Sequence, residues 1–300
     1  MATLLVMLVL GIQTILGLAL GITDAVCEQV LHLPSPQLGR QPLAIGLVNI
    51  VAFGAAIALG LHLNRLHFRR AFPIGRITAL QLLGVAVCML GAGVLLSEAD
   101  NVLRALLPMP QWLQKVFEDL FVKGQLLPRS FLLVLVAPAT EELLFRGIIL
   151  RGLLSRHRPA AAVTLTALLF AALHMNPWQF LSALFLGIIF SWFYLRTGSV
   201  ALCVLAHAIA NGLALLFTLL PFDIPGMTGP PDYATVVFQP WWLDASGVGV
   251  LVAGFWIFRR ATPPSSGRAE GPKLPAAGPE NADQTGRQVP TPLSGSGTAD

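Results

Sequence analysis

Residues 130–150 read SFLLVLVAPATEELLFRGIIL, and the reading of this stretch decides the fold. As a helix it is long and apolar enough to cross about 30 Å of hydrocarbon, yet Glu141, Glu142 and Arg146 stand in its middle. An ionisable group at the bilayer centre costs from about 2.5 to more than 10 kcal/mol, depending on the reference state. Such groups face a protein interior or a water-filled cavity. The stretch therefore predicts a bundle of helices around it and a function within it.

The spacing of the three residues divides their roles. Glu142 and Arg146 lie four apart on one helix face and are expected to pair. Glu141 is turned from Glu142 by about 100°, which leaves it without a local cation and suits it to general-base chemistry. Pro138 has no N–H for the carbonyl of Val134, so a kink is expected one turn before the glutamates. A freed carbonyl there would favour internal water.

The rest of the chain agrees with a membrane setting. It is 55% hydrophobic and 11% charged, where a soluble domain carries about a quarter charged residues. An all-α, polytopic transmembrane bundle follows, with eight spans near 3–23, 43–63, 77–97, 129–152, 160–175, 178–196, 199–220 and 241–258. The first is expected to be an uncleaved anchor, since it has no basic segment before it. Arginines cluster at 65–76, at 151–158, at 196 and at 259–260, all on one side of this arrangement, and the intervening loops lack such clusters. That bias predicts both termini in the cytoplasm, in the inner membrane of a bacterium. Segment 109–125 is amphipathic, too charged to span, and expected to lie along the outer surface.

Four regions are expected: N-terminal spans and the amphipathic segment at 1–128, a transmembrane core around the buried ionisable residues at 129–220, an outer loop and last span at 221–260, and a tail at 261–300. The tail is rich in Pro, Gly, Ser, Ala and Thr, cannot bury a core, and is expected to be disordered. The net charge of +4 marks cytoplasmic loops and predicts no nucleic-acid partner. Cys27, Cys88 and Cys203 are too scattered for a disulfide framework or a CxxC metal pattern.

Two further stretches place polar groups in apolar spans. FAALHMN, residues 170–176, sets His174 one turn after Phe170, and HAIAN, residues 207–211, sets His207 and Asn211 on one face of span seven. A carboxylate, two imidazoles and a carboxamide suffice to activate water and stabilise an oxyanion.

Glu141-Glu142-x-x-x-Arg146, Phe170-x-x-x-His174 and His207-x-x-x-Asn211 resemble, in order, the three motifs of the CPBP family. This family comprises CAAX-type prenyl proteases and bacteriocin-processing proteins and is also called the ABI family. The likeness covers roughly residues 129–220. It implies an intramembrane endopeptidase acting on a membrane-associated protein or peptide, with prenylated or CAAX-like chains among the candidates, in contact with membrane lipid. Glu141 and His174 would activate the attacking water, and His207 and Asn211 would line the oxyanion hole. Glu142, Arg146 and Phe170 would support them. The resemblance also admits a zinc enzyme with Glu141, His174 and His207 as ligands, although there is no HExxH, and the metal-free version is favoured.

Other readings weigh against parts of this. Glu142 and Arg146 could be a purely structural ion pair, and a lone membrane histidine is often only a hydrogen-bonding partner of its neighbour. Ala183, Gly187 and Ser191 form a small-residue stripe, read as helix packing. His62, His67 and His157 flank basic loops and are expected to be solvated, and His32 is an outer-loop residue with nothing to mark it as functional. A proton-coupled transporter is the first alternative, but the repeated halves with paired broken helices expected of one are not found. A non-catalytic scaffold of the same fold is the second. The placement of His174 near the outer end of span five also conflicts with Glu141 and His207 at mid-depth, unless span five is short and its MNP turn dips inward.

Overall fold

In the computed structural model, residues 1–35, 37–121, 125–228 and 235–262 of the chain are described. The expected tail falls outside them, apart from its first two residues. The architecture is an all-α transmembrane bundle. Its helices are α1 (Ala2–Gln29), α2 (Pro42–Leu63), α3 (Ala79–Leu106), the short α4 (Gln111–Phe121), α5 (126–154), α6 (Pro159–Leu173), α7 (Pro177–Thr197), α8 (Val200–Phe217) and α9 (Trp241–Ala261). Among the described residues six helices, α1, α2, α3, α7, α8 and α9, are long and apolar enough to cross a membrane. With α5 and the shorter α6 they cover the eight expected spans.

Local chemistry sets the boundaries. Thr78 and Gln81 form a capping box at the start of α3, the Thr78 side chain accepting from the Gln81 N–H and the Gln81 side chain accepting from the Thr78 N–H. Asn176 caps α7, followed by Pro177 in its first turn, and Gly198 closes that helix at φ 66°. Ser199 then caps α8 at once, so α7 and α8 form a tight antiparallel pair. The amphipathic segment is helical over Gln111–Phe121, with Leu113 buried and Trp112 67% exposed.

Two apolar clusters hold the bundle. Leu5, Phe53, Phe145, Ile148 and Phe170 belong to one, and Met89, Phe190, Phe193, Cys203 and Phe258 to the other. Helix α5 runs between them, and every residue from Leu144 to Leu150 is buried. Helices α3 and α9 pack backbone to backbone through glycines one heptad apart. A Cβ on Gly91 would lie 2.3 Å from the Leu251 nitrogen, and one on Gly254 would lie 2.3 Å from that of Cys88.

Helix α5 departs from expectation in one respect. Its backbone stays helical through Pro138, but residues Phe131–Val136 and Leu143–Leu150 are π-helical, and Ala137–Glu142 between them is α-helical. The N–H of Ala137 bonds the carbonyl of Leu132, five residues back. The next rung in that register would join residue 138 to the carbonyl of Leu133, and proline has no N–H to make it. In the π-helical register the carbonyl that Pro138 leaves without a donor is that of Leu133, one residue before the Val134 carbonyl that the α-helical register singles out.

Candidate active site

The three motifs converge on the seam between the two apolar clusters. Oε1 of Glu142 accepts from Nη1 of Arg146 at 2.9 Å, the pairing that the four-residue spacing predicts. The same oxygen lies 2.9 Å from Nδ1 of His207 on α8. Both members of the ion pair have fully buried side chains. Arg146 also donates from Nη2 to the carbonyl of Gly187 at 2.9 Å, and its guanidinium lies over the Phe170 ring, 4.9 Å from the centroid. The charges are thus neutralised inside the protein, as their burial requires.

Phe170 organises the histidines. Its ring meets His174 edge-on at 5.3 Å and His207 edge-on at 5.9 Å between centroids, so it touches both. Phe190 stacks on the other side of His207 at 5.1 Å. Span five is short, as one of the two ways out of the His174 depth conflict requires: α6 has 15 residues, a rise of roughly 22 Å against about 30 Å of hydrocarbon. Met175, at φ 53°, reverses the chain directly after His174.

Hydrogen bonding fixes what each imidazole presents. Nδ1 of His174 lies 2.9 Å from the carbonyl of Phe170. A carbonyl can only accept, so Nδ1 carries the proton and Nε2 of the neutral ring offers a lone pair. By the same argument Nδ1 of His207 donates to Glu142. One oxygen each of Glu141 and Glu142, Oε2 in both, is buried and accepts no hydrogen bond from the protein. For Glu141 this is the partnerless position that its angle from Glu142 predicts.

Asn211 faces two ways. Its Nδ2 donates to the Leu133 carbonyl at 2.8 Å, and its side chain lines a cavity of about 720 Å³ between α3, α7, α8 and the segment after α8. The opposite wall carries Asp100, Asn101 and Arg104 of α3, in which Arg104 donates to Asp100 at 2.8 Å and to Asn101 at 2.6 Å. This volume lies within the range of roughly 300–1,000 Å³ typical of ligand pockets. Among the motif residues Asn211 is the one that lines it.

Three participants escape sequence reasoning. The Gly187 carbonyl takes Arg146 and also the Ser191 hydroxyl at 2.7 Å, so the small-residue stripe on α7 both packs and binds. A Cβ on Gly187 would meet Cα of Ala167 at 3.1 Å. Phe190 carries no signal that distinguishes it from a lipid-facing phenylalanine, and Leu133 contributes only a carbonyl. The loop and span-end histidines His32, His62, His67 and His157 are exposed.

For zinc, the candidate ligands are Glu141, His174 and His207. Among the described residues no three His, Cys, Asp or Glu side chains converge closely enough to hold a metal ion. As arranged, these side chains do not fit a three-ligand centre.

Residues 116–213 match the family model of type II CAAX prenyl endopeptidase, Rce1-like. The resemblance to CAAX-type proteases is therefore shown for the segment that carries all three motifs. An uncharacterised 24.3 kDa protein of Escherichia coli is 37% identical over 116 residues, covering 37% of this chain and 53% of that protein. The membrane-embedded CAAX protease MroQ of Staphylococcus aureus (strain USA300) is 33% identical over 118 residues, covering 37% of this chain and 47% of that one. The matched segments thus span about half the length of each relative. No solved structure matches the chain significantly.

Proposed function

We propose that this membrane protein is an intramembrane endopeptidase that hydrolyses a peptide bond of a membrane-associated protein or peptide without a metal, the premise being the family likeness of the segment that holds the site. The observation that supports the proposal most directly is the buried Glu142–Arg146–His207 group, which joins the first and third motifs; Phe170 of the second motif touches both His207 and His174, and Glu141, next to Glu142 on α5, has a buried Oε2 that accepts no hydrogen bond from the protein.

In this reading Glu141, aided by His174, takes a proton from a water molecule, whose oxygen bonds to the scissile carbonyl carbon. The charge that develops on the carbonyl oxygen is met by donors from α8. Asn211 has a second amide hydrogen besides the one given to Leu133. His207 donates from Nε2 only when doubly protonated, and Glu142 is placed to compensate that charge. Glu141 then returns its proton to the departing nitrogen. Glu142 and Arg146 hold His207 in orientation, and Phe170 and Phe190 fix its plane.

The cavity beside Asn211 is the proposed approach for the substrate chain. Its polar wall on α3 offers partners to an extended peptide, whose backbone groups need them inside a membrane. Prenylated or CAAX-like chains are the first substrates to try, because one relative is a CAAX protease. The arginine bias of the loops supports cytoplasmic termini in a bacterial inner membrane.

The experiment is cleavage of such peptides by the purified protein in detergent or liposomes, followed by mass spectrometry, with and without a chelator. Chelator-resistant cleavage that disappears in Glu141→Gln is the expected result. Equal cleavage by wild type and Glu141→Gln would refute the proposal.

A further inference from the structure

Helix α5 lacks one rung of its own ladder. The π-helical register through Phe131–Val136 sends the Ala137 N–H to the Leu132 carbonyl, and Pro138 cannot supply the N–H that the Leu133 carbonyl would receive next. A carbonyl without a partner is costly where no water can reach it. Asn211 of α8, 78 residues away, fills the gap with its Nδ2 at 2.8 Å. Just beyond the proline, the Thr140 hydroxyl bonds the carbonyls of Val136 and Ala137 at 2.8 and 3.1 Å. The polar groups at this point on α5 are thus satisfied partly by side chains, and the α-helical turn that follows carries Glu141 and Glu142.

We propose that Asn211 is a positioning residue which replaces the backbone hydrogen bond that Pro138 removes, and so holds α5 in the register that aims Glu141 at the site. Pro138 and Asn211 then work as a pair: the proline opens the rung, and the carboxamide closes it from a neighbouring helix. The closure ties α8, which bears His207, to the helix that bears the glutamates. The role is separate from any donation by Asn211 to an oxyanion, because a different amide hydrogen serves it. The kinetic arm of the test rests on the protease reading, and the stability arm does not.

The test is a double-mutant cycle of Pro138→Ala and Asn211→Ala, read by thermal unfolding in detergent and by kcat and KM on a cleaved peptide. Alanine at 138 restores an N–H able to reach the Leu133 carbonyl, so Asn211 becomes dispensable for register. In the Pro138 protein, Asn211→Ala is expected to lower both Tm and kcat, with KM little changed. In the Pro138→Ala background the same substitution should leave Tm nearly unaltered, and its kcat loss should shrink by about threefold or more. Should Asn211→Ala alone fail to fold, recovery of folded protein in the double variant supports the proposal, and its continued failure overturns it. Equal, additive losses of Tm in both backgrounds also overturn it. Absence of cleavage by every variant, wild type included, counts against the protease reading alone, and the Tm arm still decides this one.

Discussion

His207 and Glu142 are 65 residues apart in the chain and meet at 2.9 Å through Nδ1 and Oε1, on the same carboxylate oxygen that receives Arg146. One carboxylate thus ties a cation within its own helix to an imidazole on another, and the arginine extends the link to α7 through the Gly187 carbonyl.

Removing the cation from this group should be costly. Arg146→Ala leaves Glu142 buried beside a histidine that is charged only when protonated, and loss of one partner of a desolvated pair costs about 3–5 kcal/mol. A marked fall in Tm or yield is expected, with partial recovery in Glu142→Gln/Arg146→Ala. Full thermal stability of Arg146→Ala would show the pair to be solvated.

Glu141→Gln keeps size and polarity and removes basicity. Because Oε2 of Glu141 accepts no hydrogen bond from the protein, the substitution breaks none at that atom, and the fold should survive. Loss of a general base typically lowers turnover by about 10²–10⁴-fold. Peptide cleavage with unchanged Tm checks both halves of the expectation.

Metal content is predicted to be sub-stoichiometric, and His207→Ala is predicted to lose turnover without altering it. Elemental analysis of purified wild type and variant decides this. One tightly held zinc per chain, lost in His207→Ala, would replace the metal-free mechanism and leave the protease assignment standing.

Gly254→Ala tests the seam between α3 and α9, remote from the chemistry. Its Cβ would sit 2.3 Å from the Cys88 nitrogen, so the helices must separate, and overpacking of this kind costs typically about 1–3 kcal/mol. A lower Tm is expected. Gly249→Ala, with nothing within 4 Å of its added Cβ, is the control and should be near neutral.

What was legible in the sequence was what depends on local periodicity. Apolar length marks the spans, and the arginines mark the loop ends. The four-residue spacing pairs Glu142 with Arg146, since helix geometry puts those side chains on one face whatever surrounds them. The order of the three motifs was legible too, and with it the family likeness. The tertiary structure alone decided which carboxylate meets His207, that Phe170 touches both histidines, and that Arg146 ends on the Gly187 carbonyl. These contacts depend on the rotation and depth of separate helices, which no spacing along the chain encodes. The freed carbonyl shows the boundary between the two. That Pro138 would free one followed from its chemistry, but its identity as Leu133 followed from the π-helical register, and a register is settled by the packing and hydrogen bonding of the neighbouring helices, here by Asn211.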